Sequence, residues 1–313
     1  MDDRFIMGNN DPLIRHKAPG MRQTEMNASL SADLTRLAII EALSFYSGFF
    51  HVEPDTAEID NFTKRYAGHQ KDATKLKLFR SGGARQKDHL NFWCLSHVLK
   101  PSIYIESGVY LGSSLHAFID NPHLKKTIAI DPGISRLRVP VSGIPGACLI
   151  DDLDFSQLAM SFFGEHCIAY FDDHINTAER ILQAHQKGIR YVLFDDSTGF
   201  EGMCQRLFPA IPTIPMIIHH DSLAPGGKIS WTYSRPYPSS LAGFLKHKLF
   251  KRGRQHQRIS LTISDEIKRQ CSEARDVIKR WTKIPDLGIF LPQPVPERQV
   301  DTGKYLLELK YKT

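Results

Sequence analysis

Chemistry in this chain concentrates in acids and glycines that follow short apolar runs. In Ile103-Tyr104-Ile105-Glu106-Ser107-Gly108-Val109-Tyr110-Leu111-Gly112-Ser113-Ser114 the apolar start reads as a buried strand, the glycines as a turn and the serines as the opening of a helix. Glycine lets a ligand approach the backbone closely at the carboxyl end of a strand, where open α/β sheets bind ligands. About 20 residues further on, the next apolar run closes in Ile130-Asp131-Pro132. That places an acid at the tip of the neighbouring strand, where it can accept hydrogen bonds from both ribose hydroxyls of an adenosine-bearing ligand. The turn lacks the three-glycine pattern that seats a pyrophosphate on a helix, and an acid at Glu106 suits a cationic or amino-bearing ligand. A further carboxylate from CLIDDLDFS (Asp151, Asp152 or Asp154) is placed to sit beside an adenine at the end of a third strand.

Two more apolar runs end alike, in Phe171-Asp172-Asp173-His174 and in Phe194-Asp195-Asp196-Ser197, with an amphipathic stretch of crossover length between them. A right-handed crossover makes the two tips neighbours. Carboxylates gathered there repel one another unless a cation sits among them, and an oxygen-rich cluster favours Mg²⁺ or another hard divalent ion. Asp172, Asp195 and Asp196 are the expected metal ligands, and Asp173 or His174 the expected general base. The plainer use of such acids is to end strands and cap helices.

The ESGVYLGSS turn followed by AIDP resembles motif I and the post-strand acid of the class I S-adenosylmethionine-dependent methyltransferases, over roughly residues 90 to 200 and the last strand. The resemblance implies a Rossmann-like α/β fold with a doubly wound, mostly parallel sheet. It also implies S-adenosylmethionine as cofactor, with Glu106 and Gly108 near its methionine end, Gly112 allowing the close turn and Asp131 on the ribose. Tyr110, Ser113 and Asp152 complete the expected cofactor-binding set. FDDH and FDDS are similar to the DGDH and paired-acid strand ends of sugar and natural-product O-methyltransferases of the macrocin type, with departures at Asp172 and Ser197. The implied reaction is O-methylation of a hydroxylated small molecule or saccharide, in which Mg²⁺ lowers the pKa of the acceptor hydroxyl and Asp173 or His174 removes its proton. A hydroxylase of the cephalosporin hydroxylase-like type on the same fold is the enzymatic alternative.

The elements that must position these residues follow from the pattern. From Ser102, apolar runs alternate with helical stretches through YVLFDDS, the signature of βαβ units and a parallel sheet. Residues 89–200 are therefore read as the cofactor-binding core, 1–88 as an N-terminal arm and helical cap, 201–300 as an inserted acceptor-side region, and 301–313 as a closing edge strand of the core. In the cap, Ser31 or Asp33 is expected to start a helix over Leu34 to Leu43, and a second helix holds Leu90 to Leu99. Lys64 to Lys87 reads as a basic connection broken at Ser81-Gly82-Gly83, and a further helix is expected over Asp265 to Trp281.

With 42% hydrophobic and 24% charged residues the 313-residue chain has globular composition. Five scattered cysteines form no C-x-x-C pair, and no stretch approaches a membrane span, so a cytoplasmic protein with reduced thiols is expected. The net charge of +6 and the run Lys246 to Arg258 suit an anionic acceptor. They also leave open a non-catalytic nucleic-acid or assembly module; homo-oligomerisation is a further expectation. His219-His220-Asp221 and Pro225-Gly226-Gly227 form a generic turn, readable as a late core turn or a metal site, with the plain turn preferred.

Overall fold

Side chains along the apolar runs alternate in direction, and that alternation gives the sheet two buried faces. The computed structural model describes residues 23–53, 59–79, 84–195, 211–236, 254–287 and 303–311. Five parallel strands, β1 (Ile103–Ser107), β2 (Lys126–Ile130), β3 (Ala147–Ile150), β4 (Cys167–Phe171) and β5 (Tyr191–Phe194), lie in the order β3-β2-β1-β4-β5. Beyond β5 comes β9 (Tyr305–Leu309), antiparallel to it, and then β8 (Ile278–Lys283), antiparallel to β9. The fold is the expected doubly wound, mostly parallel α/β sheet.

One face of the sheet presents Tyr104, Tyr170, Leu193 and Leu306 to a helical layer. This layer is made of α1 (Gln23–Phe50), α3 (Gln86–Leu99) and α4 (Ser113–Ile119), with α2 (Ile59–Lys75) packed outside it. The other face presents Ile105, Ala169, Phe171, Val192 and Leu307 to α5 (Thr177–Gln186), α6 (Ile214–Ile218) and α7 (Asp265–Val277). Because the chain winds to opposite sides of β1, through β2 and β3 on one side and β4 and β5 on the other, the crevice between the carboxyl ends of β1 and β4 is the topological switch point.

Four details differ from the sequence reading. Helix α1 starts eight residues before Ser31, since no Gly or Pro lies between Gly20 and Gly48 to break it. The basic connection after Lys64 is largely helix: α2 buries Ile59, Tyr66 and Ala73 at sevenfold spacing beneath its charges. The stretch expected as helix to Trp281 turns extended at Ile278, where IKRWTK alternates and pairs with β9. Accordingly β9 is an interior strand with β8 at the edge, not the closing edge strand expected for 301–313, and residues within 201–300 supply a strand of the main sheet. Pro225-Gly226-Gly227 leads into β6 (Lys228–Pro236), which pairs only with β7 (Arg254–Thr262) in a separate hairpin; it is a plain turn, and YVLF is β5 as read. Of the basic run, residues 246–253 lie outside the described residues, as does the N-terminal arm to residue 22. Among the described residues no helix is long and apolar enough to cross a membrane.

An interior position for β9 requires its one acid to be compensated. Glu308 is fully buried and accepts hydrogen bonds from Arg190 (2.6 Å), Lys279 (3.0 Å) and Arg280. These bonds outweigh the desolvation cost and hold its carboxyl below the usual glutamate value. Glu308→Gln is expected to lower the unfolding free energy by roughly 2 kcal/mol, the low side for a broken buried ion pair because the three cations retain contact with water; urea unfolding measures it.

Candidate functional site at the sheet switch point

At the carboxyl end of β1 the chain turns through Gly108 (φ +92°) and Gly112 (φ +86°). A Cβ on Gly108 would stand 2.3 Å from the Asp172 carbonyl oxygen, and one on Gly112 would stand 2.4 Å from Leu137 Cδ1, so both positions need glycine for space as well as for backbone conformation. Among the described residues, five that are not glycine have positive φ. His51, Lys77 and Lys100 follow helix ends, where such a conformation is ordinary. Tyr110 and His174 do not: they sit in the loops after β1 and β4, on the two sides of the switch point. Sparsely populated backbone states of this kind concentrate where a site is held in a fixed shape.

Asp131 follows β2 and is nearly buried. Its Oδ2 accepts from the Tyr110 amide (2.7 Å) and its Oδ1 from the Gly133 amide (2.6 Å), which ties the glycine turn to the neighbouring strand. Two accepted bonds leave a carboxylate with about two lone-pair sites for a ligand's hydroxyls. Arg136 lies over this corner, 3.8 Å from Asp131 Oδ1 and 5.6 Å above the Tyr110 ring, with most of its side chain exposed.

Glu106 is fully buried and faces α4, accepting from the Tyr104 hydroxyl (2.9 Å) and from Ser114 Oγ. Burial pushes its carboxyl up to about 8, against the lowering effect of those two hydrogen bonds. Ser113 is buried at the first position of α4. Asp151 and Asp152 are exposed just beyond β3, at the edge of the same rim.

The acids after β4 and β5 come together as expected, but with the protein's own cations among them. Asp173 Oδ2 accepts from Ser107 Oγ (2.6 Å) and from Arg180 Nε (2.9 Å). Arg180, buried in α5, also bridges to Asp154 through Nη1 (2.9 Å) and holds that carboxyl below its ordinary range. Asp195 Oδ2 accepts from the Tyr170 hydroxyl (2.7 Å) and Oδ1 from Lys304 Nζ (2.5 Å), while Lys304 also lies 3.7 Å from Asp88. Asp172 is raised well above the carboxylate range by burial and by the Asp195 carboxylate, and its Oδ1 is 3.7 Å from His174 Nε2. Asp196 lies outside the described residues.

At the acids expected to hold a divalent metal, the protein places cations of its own. The charge that calls for a cation is met by Arg180 and Lys304, and the oxygens of Asp173 and Asp195 are engaged by them and by hydroxyls. Among the described residues, the acids at these strand ends do not form a cluster with metal-ligand spacing. Sequence reading missed both cations, as well as Ser107, Ser114 and Tyr170. Arg180 had one signal, a charge between Ala178, Ile181 and Ala184 on the buried stripe of α5. Lys304 had none, because its partner is 109 residues away.

No family model and no curated protein matches the chain. Among solved structures, it is similar to cofactor-bound Rv0187 from MTB, at 11% identity and a TM-score of 0.35 over 68% of this chain and 100% of that one. It is also similar to the SAH-bound methyltransferase PaMTH1 of Podospora anserina, at 12% identity and a TM-score of 0.36 over 95% of this chain and 100% of that one.

Glu106 gives the site a measurable proton linkage. Its carboxyl holds a proton up to about 8 in the fold and releases it near 4.5 when unfolded. Between those values the native state binds more protons, so this contribution to stability is complete below the unfolded value and falls as pH rises, by at most about 1.4 kcal/mol per pH unit. Glu106→Gln is expected to show a shallower fall in unfolding free energy across that window than the wild type; parallel curves would refute the linkage.

Proposed function

We propose that the protein is an S-adenosylmethionine-dependent methyltransferase that methylates a hydroxyl of a small molecule or saccharide. The observation that carries this reading is the placement of Asp131: a nearly buried carboxylate at the tip of β2, bonded to the backbone of the glycine turn after β1, beside the switch point of a doubly wound sheet. The chain returns to the sheet through β9, antiparallel to β5.

The donor set fits the cofactor. Asp131 retains acceptor capacity for ribose hydroxyls, and the Gly108–Gly112 turn carries no side chain at its two tightest points. Tyr110 and Ser113 belong to that turn and the first position of α4, and Asp152 lies on the rim where an adenine would be approached. When bound, the cofactor supplies a methyl group already activated on a sulfonium, so the protein's task is chiefly alignment.

The base is best assigned to His174. Asp173 is held by Arg180 and Ser107 and is read as a positioning residue that fixes the loop after β4. His174 Nε2, 3.7 Å from Asp172 Oδ1, takes the acceptor's proton. Since Asp172, Asp173 and Asp195 do not fit a divalent ion as they stand, no step on a metal is assigned. The moderately basic balance of the chain suits an anionic acceptor.

Calorimetric titration with S-adenosylhomocysteine, with and without Mg²⁺, tests the proposal. Micromolar binding to the wild type, unaffected by Mg²⁺ and lost in Asp131→Ala, is the expected result. Absence of binding to the folded wild type overturns the methyltransferase reading.

A further inference from the structure

Three histidines meet where α2, α3 and α4 pack together. His69 comes from α2, His89 from α3 and His116 from α4; His89 and His116 are buried and His69 is partly so. One ring nitrogen of each lies within 4.8 Å of those of the other two. Burial, the largest influence on each, lowers all three pKa values, with His116 falling to about 3. Histidine binds metals through a neutral ring nitrogen.

Hydrogen bonding orients two of the rings. His69 Nε2 donates to the His116 carbonyl (2.9 Å), which leaves Nδ1 as its lone pair. The Tyr66 hydroxyl donates to the Gln86 carbonyl and meets His89 Nδ1 at 3.3 Å. With its hydrogen so committed, the hydroxyl accepts from His89 Nδ1, and the His89 lone pair falls on Nε2. A carbonyl or hydroxyl on the second ring nitrogen is the usual outer partner of a metal-binding histidine.

His89 Nε2 in turn faces His116 Nδ1 at 3.1 Å. Two imidazole nitrogens at this distance need either a proton or a cation between them. The spacing is close to the ~3.3 Å separating two nitrogens on one tetrahedral zinc with bonds of about 2.0–2.1 Å. His69 stacks on His116 with ring centroids 4.0 Å apart and planes at 17°, so it completes the set by turning out of the stack. The carboxylates of Asp72 and Asp120 supply negative potential at His69 and His116.

We propose that His69, His89 and His116 form a Zn²⁺ site that fastens the cap helix α2 to α3 and α4. Three neutral imidazoles suit zinc and its borderline neighbours, not the hard ions first expected at the acidic strand ends. A fourth tetrahedral position is left to water. The site shares no residue with the proposed cofactor set and does not depend on that reading.

The test uses the full chain without a histidine tag, freed of metal by chelation and dialysis, and titrated with Zn²⁺ by calorimetry and with Co²⁺ by visible absorption. A single tight equivalent of Zn²⁺, a four-coordinate Co²⁺ spectrum and a raised unfolding temperature with Zn²⁺ are expected. His69→Gln, at the partly exposed ligand, is expected to weaken Zn²⁺ binding by at least ~10-fold while leaving the metal-free unfolding temperature near that of the wild type. His116→Gln is expected to weaken it likewise, and if that variant does not fold, His69→Gln decides. Absence of tight Zn²⁺ binding by the wild type, or binding that survives His69→Gln undiminished, overturns the proposal.

Discussion

A Cβ on residue 108 would come within 2.3 Å of the carbonyl oxygen of Asp172, and the rest of the crevice depends on that closeness. Gly108 donates to the Ile130 carbonyl (2.9 Å) and Asp172 donates to the Ser107 carbonyl (2.8 Å), so three adjacent strands are laced together at their carboxyl ends across one glycine. Push β4 away from β1 by the width of a methyl group and the Ser107 bond to Asp173 lengthens, the loop bearing His174 shifts, and the turn loses its seat beside Asp131. Backbone contact without an intervening side chain is what allows acids from β1, β2 and β4 to address a common volume.

Gathering acids in a half-dry crevice raises an electrostatic difficulty, and the protein resolves it unevenly. Arg180 serves Asp173 and Asp154, and Lys304 serves Asp195 with Asp88 in second place. Glu106 and Asp172 are instead raised toward their neutral forms by burial. The crevice thus contains carboxyl groups of two kinds: those paired with side-chain cations, and those that burial shifts upward. A cationic ligand would favour ionisation of the second kind, a coupling unavailable to acids that are fully paired.

The sheet and the glycine turn after β1 were legible because they are local: apolar runs of strand length, glycines at fixed offsets and an acid closing the next run. The long α1 was legible in part, its start being set by the absence of breakers more than by a cap. Helix α2 was hidden because its three buried residues lie at sevenfold spacing among lysines and arginines, and charge is a poor guide to whether one stripe of a helix is covered. The acids were expected to gather around a cation, and two of them lie against Arg180 and Lys304. Neither periodicity nor spacing reports a pairing between residues 195 and 304. The order of the last two sheet strands escaped for the same reason, since IKRWTK and YLLEL identify each other only once both have docked.

That docking order bears on how the site comes into being during synthesis. A ribosome releases β1 through β5, with Asp195 at the tip of β5, long before it releases Lys304 and β9. Until then the nascent sheet ends at β5, its backbone edge unpaired, and Asp195 lacks the ammonium that matches it. Docking β9 on β5 is therefore the same event as pairing Asp195, because Lys304 immediately precedes that strand. A nascent chain stalled before residue 304 can hold the glycine turn and Asp131 in place, yet it lacks the charge balance of the finished site.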